Sequence, residues 1–92
     1  MKGSEKQIKW AEDIKKNFYH IQFNELKRYP NETPEEAVEA QKKALMEDEE
    51  AWDLYCRIMA VEDAAWWIDR RYDLENSVVT LVRKERKGRF TV

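Results

Sequence analysis

Glycine and proline are scarce in this 92-residue chain, two of each, and cysteine and histidine occur once each. So few backbone punctuators argue against a β-sandwich and against a disordered or low-complexity chain. A lone cysteine, Cys56, can form no internal disulfide, which suits a reducing compartment. His20 and Cys56, on different segments, fall short of a zinc ligand set, and His20 with Asn17 and Asn24 a turn to either side reads as a packing or hydrogen-bonding residue. Cys56 reads as a small helix-packing residue. Because the only glycines are Gly3 and Gly88, no glycine-rich loop is available to cradle phosphate. No apolar run approaches the ~18 residues of a membrane span, and the N-terminus carries no signal-peptide pattern, so a cytoplasmic protein without membrane contact is expected. No cofactor and no enzymatic activity are expected, since the motifs that support a nucleophile or an acid/base pair are missing.

What the chain does have is charge and aromatic side chains. Charged residues make up 39% and hydrophobic residues 42%, a balance that suits one soluble helical domain over residues 1–92. The net charge of −2 conceals an uneven layout: residues 32–53 hold nine acidic groups and two basic ones, whereas residues 54–92 hold six and eight. Residues 84–92 read as a basic tail that is free to flex.

Hydrophobic periodicity sets the expected fold. After Ser4, a suitable N-cap, Ile8, Ala11, Ile14, Phe18 and Ile21 recur at spacings of three and four. That stripe predicts a helix to Tyr29, about 38 Å long, with a break near Asn17 or Asn24 as the shorter alternative. Thr33, Pro34 and Glu36 form the signature of a capped second helix. From there Ala37, Ala44 and Ala51, beside Val38, Leu45 and Trp52, keep a seven-residue beat across Glu47-Asp48-Glu49-Glu50. The unbroken phase predicts one helix to about Ala60, with a kink as the fallback, pairing with the first as a long antiparallel hairpin. A turn at 61–63 leads to a short tryptophan-rich helix capped by Asp63. A C-terminal helix capped by Asp73 follows, with Leu74, Val78, Leu81 and Val82 on one face. The competing reading of the C-terminus is a β-hairpin, since residues 78–82 are rich in strand formers and Gly88 could turn the chain. The fold class is all-α.

The stretch Asp63–Tyr72 poses a geometric question. At 100° per residue Trp67 flanks Ile68 on the core side, whereas Trp66 points away and requires a second neighbour. That neighbour is either the stripe of Trp52, Tyr55 and Met59 or another molecule.

Two blocks carry a resemblance. Gly3-Ser4-Glu5-Lys6-Gln7-Ile8-Lys9-Trp10-Ala11-Glu12-Asp13-Ile14 resembles the opening of a loosely defined group of small bacterial and phage-associated proteins, and Ala65-Trp66-Trp67-Ile68-Asp69-Arg70-Arg71 resembles a second block of that group. The resemblance implies a phage or mobile-element accessory protein that targets a host factor, with an anti-CRISPR or similar anti-defence role fitting the setting. It carries over no site residue.

The expected function is a non-enzymatic protein-binding module that occupies a host or phage protein. Trp66, Trp52, Tyr55 and Met59 would be its apolar anchors, and Glu47, Asp48, Glu49, Glu50 and Asp53 its acidic steering surface. A homodimer that buries the second apolar stripe is a further expectation. The alternative is a nucleic-acid-binding accessory protein using Arg70, Arg71 and the tail residues Arg83, Lys84, Arg86, Lys87 and Arg89.

Overall fold

The computed structural model describes residues 1–92. It is all-α, with helices α1 (Glu5–Gln22), α2 (Pro34–Glu47), α3 (Glu49–Met59), α4 (Ala64–Asp69) and α5 (Val78–Arg86), and a 3-10 turn at Asp73–Glu75. The β-hairpin alternative for the C-terminus is overturned, because residues 78–86 are helical.

Local side-chain chemistry explains most helix boundaries. Ser4 and Gln7 close a capping box at the start of α1, at 3.2 and 3.0 Å. Thr33 and Glu36 do the same for α2, with Pro34 in the first helical position. α1 stops at Gln22, short of Tyr29, because Phe23 leaves helical geometry to bury its ring, and Asn24 Oδ1 accepts the Leu26 N–H at 2.9 Å. The shorter alternative, a break near Asn24, is the one realised.

The single helix expected from Pro34 to Ala60 is interrupted at Asp48, so the kinked fallback is the form realised, as two helices. Asp48 adopts φ −92° and ψ 92°, and its Oδ1 accepts the Ala51 N–H at 3.1 Å as the N-cap of α3. The Asp48 cap holds the break, and the dipole effects around it oppose one another, because Glu47 ends α2, where negative charge is disfavoured. In a continuous helix four consecutive carboxylates would sit together at mid-length, whereas the interruption puts Glu49 and Glu50 in the first turn of α3, where negative charge is favoured. Asp63 caps α4 as expected, its Oδ1 accepting the Ala65 N–H at 3.0 Å. The last helix starts later than expected: Ser77, not Asp73, is its N-cap, and Asp73 opens the 3-10 turn.

The packing departs from a simple hairpin. The main helical neighbours of α1 are α4 and the 3-10 turn, while α3 packs on α2 and α5. Only Ala37 is buried on α2, which reaches the end of α1 through Gln41 Nε2, donating to Asn24 O at 2.6 Å, and Lys42, whose ammonium lies over the Tyr19 and Phe23 rings. A contiguous core of 14 residues joins α1, α3, α4 and α5, with Phe18, Phe23, Leu54, Ile58, Trp67, Leu74 and Leu81 inside it. An extended N-terminal segment braces the turn before α4: Lys2 N–H donates to Glu62 O at 2.6 Å, and Ala64 N–H donates to Lys2 O at 2.8 Å.

Residues 84–92, read as a basic tail, are tied down. Gly88, at φ +70°, closes a Schellman motif in which its own N–H donates to Glu85 O and that of Arg89 donates to Lys84 O. The turn directs Phe90 back into the core, where it is 3% exposed.

Candidate protein-binding surface

Folding distributes the Asp63–Tyr72 stretch among three environments. Trp67 is fully buried, edge-on to Phe18, and its Nε1 donates to Val61 O at 3.0 Å. Trp66 is half-buried, with Trp67 and Phe90 as its aromatic neighbours at 5.2 and 6.1 Å, and the Arg70 guanidinium lies 4.8 Å from its ring centre. The second neighbour that Trp66 requires is therefore the C-terminal segment, and its ring pairs with neither Trp52 nor Tyr55. Arg70 reinforces that contact by donating from Nε to Thr91 O at 2.9 Å. The Trp66 indole N–H is shielded from solvent and has no acceptor.

The third environment is at the surface. The Arg71 guanidinium lies over two rings, that of Trp10 on α1 at 5.4 Å and that of Tyr72 at 4.6 Å. Its Nη1 donates to Ile68 O at 2.6 Å, which fixes the group in place. Trp10 is 48% and Tyr72 70% exposed. Beside them runs an open groove of about 250 Å³, walled by Trp10, Asp13 and Ile14 on α1 and by Arg71, Tyr72 and Glu75 across from it. Tryptophan, tyrosine and arginine are the residue types that dominate the energetic centres of protein interfaces. Sequence reasoning missed Trp10 and Tyr72 as site residues. The signal was the Arg-Arg-Tyr run leaving α4, but its pairing with Trp10 depends on how α1 meets α4.

The anchors expected on α3 face inward to differing degrees. Tyr55 is a core residue, 8% exposed and packed on Phe18 and Phe23. Its phenol pKa is pushed up to about 12, mainly by burial, with lesser contributions from Tyr19 and Cys56. Trp52 stacks on Tyr55, and both Trp52 and Met59 are half-buried against the core.

The acidic stretch and the basic end meet through one ion pair, and most of the other partners of both lie elsewhere in the chain. Glu47, Asp48, Glu49, Glu50 and Asp53 are all exposed, yet Asp48 caps α3, Glu50 pairs with Arg86, and Asp53 pairs with Arg57. Arg57 also grips both Glu85 oxygens at 3.0 Å, and those bonds hold its pKa above the ordinary value. Lys84 pairs with Asp73 at 2.8 Å. These contacts fasten α5 to α3 and to the 3-10 turn. Of the basic residues considered for nucleic acid, Arg83, Lys87 and Arg89 are exposed and form no ion pair. The other four, Arg70, Arg71, Lys84 and Arg86, all have partners within the chain.

The blocks at residues 3–14 and 65–71, from which a phage-associated origin is expected, are adjacent in space. The first includes most of α1 and the second most of α4, and these helices pack together, with the guanidinium of Arg71, just past α4, over the ring of Trp10 on α1. Comparison with known proteins finds no matching family model, no matching curated protein and no matching solved structure. No helix is long and apolar enough to cross a membrane.

Proposed function

We propose that the chain is a non-enzymatic protein-binding module whose anchor is the Trp10–Arg71–Tyr72 cluster. The observation that carries this reading is the guanidinium held over two exposed rings at the edge of a groove. A side chain fixed in this way loses little conformational freedom when a partner covers it, so more of the contact energy appears as affinity. Trp66, Trp52 and Met59 are half-buried against the core and leave the anchoring to this cluster, and Glu47 and Glu49, exposed and without an ion pair, remain to steer a basic partner. The resemblance of the α1 and α4 blocks to phage-associated proteins supports a host factor as the target and an anti-defence role.

Quantitative affinity enrichment from a bacterial lysate tests the reading. Wild-type protein is expected to retain at least one partner saturably, and Trp10→Ala combined with Tyr72→Ala is expected to weaken it at least tenfold, as loss of hot-spot residues does. An unchanged set of partners in the double variant, or retention of nucleic acid alone, contradicts it.

A further inference from the structure

Resting on that reading, we propose that the groove beside Trp10 and Tyr72 receives a basic side chain, arginine or lysine, from the segment of the partner that docks there. Charge complementarity is the first support. Asp13 and Glu75 face the groove from opposite walls, and neither enters an ion pair, whereas Glu50, Asp53, Asp73 and Glu85 are each matched to a cation. Two carboxylates against the one guanidinium of Arg71 leave the lining net negative. An acidic partner residue would meet both carboxylates, and the only cation available to it is already held by Ile68 O and by the two rings.

The rings supply the second support. Arg71 demonstrates that the faces of Trp10 and Tyr72 take a planar cation, and both rings retain open surface. A second guanidinium or an ammonium laid on that surface gains a cation–π contact, strengthened as the partner excludes water. Ile14 and Leu74 give the groove an apolar floor for the aliphatic part of an arginine or lysine stem. Arg71 thus lies against both rings and leaves the incoming charge to Asp13 and Glu75.

The test is an NMR titration of the uniformly 15N-labelled full chain that follows the indole N–H signals of its tryptophans. The probes are three acetylated, amidated hexapeptides, identical except for arginine, citrulline or glutamate at one position. The arginine peptide is expected to move the Trp10 signal saturably, while the Trp67 signal, buried and bonded to Val61 O, stays in place. Citrulline in the peptide, or Asp13→Asn with Glu75→Gln in the protein, is expected to weaken binding about tenfold. Each of three results overturns the proposal: a glutamate peptide that binds as well as the arginine one, a Trp10 signal that no peptide moves at millimolar concentration, or a single-stranded oligonucleotide that moves it more tightly than any peptide. The two readings fail separately. A lysate partner lost from the Trp10/Tyr72 double variant but kept by Asp13→Asn/Glu75→Gln leaves the protein-binding function standing and removes the basic side chain.

Discussion

Two residues carry energetic roles that their types alone do not announce. Gly3 has φ +138°, and a Cβ there would lie 3.0 Å from Ala64 Cβ, so glycine permits both the backbone turn and the close approach of the N-terminal segment to α4. Gly3→Ala is expected to cost about 1–3 kcal/mol in chemical denaturation, through strain at a backbone conformation that side chains avoid. Tyr55 makes stability depend on alkaline pH. The unfolded phenol ionises near 10.0 and the folded one near 12, so between those values the unfolded state holds fewer protons and stability falls as pH rises. Tyr55→Phe is expected to be close to neutral at pH 7 and to remove about 1–2 kcal/mol of that alkaline loss, read as the difference between the two proteins' denaturation midpoints. Equal alkaline losses in the two proteins would mean that the phenol ionises as freely in the fold as in the unfolded chain.

Among the helices, the break at Asp48 is the most informative feature. Removing its carboxylate with Asp48→Ala is expected to destabilise the protein by about 1 kcal/mol in urea melts, the usual cost of an N-cap. The sequence reads through this break for a physical reason. The beat of Ala37, Ala44 and Ala51 runs straight across a capped kink, although Ala37 and Ala51 are buried and Ala44 between them is exposed. Periodicity therefore marks Phe18, Leu54, Ile58 and Leu81 as core residues, all of which are buried, and is blind to where the backbone is interrupted. The caps at Ser4 and Thr33 are legible because each stands beside a break in the hydrophobic pattern, whereas Asp48, whose cap spans the same three residues, sits inside an unbroken beat. The place of Trp66 is not legible: its neighbour Phe90 arrives through the Schellman turn at Gly88, and that turn matters only once α5 has been fastened to α3.

The whole molecule is thin and spread out, 43 × 31 × 18 Å, with a radius of gyration of 14.0 Å. A compact chain of this length would have a radius near ~12 Å. Its accessible surface, 6456 Å², likewise exceeds the roughly 5,700 Å² expected of a monomer of its mass. Much surface is thus left to meet other molecules, and the cluster of Trp10, Arg71 and Tyr72 is the part of it with the composition of an interface centre. That cluster is assembled from α1 and the segment that follows α4, far apart in sequence, which explains why a reading of local patterns stopped at Trp66 and the acidic stretch. Photo-crosslinking in bacterial cells tests its role most directly, with a benzophenone amino acid placed at Tyr72 or, as a control, at Tyr29, which is 79% exposed but outside the groove. A discrete protein adduct is predicted from position 72, absent from position 29 and lost when Trp10→Ala is added. Adducts that are equal from the two positions, or none from position 72, would contradict the assignment of this surface to partner binding.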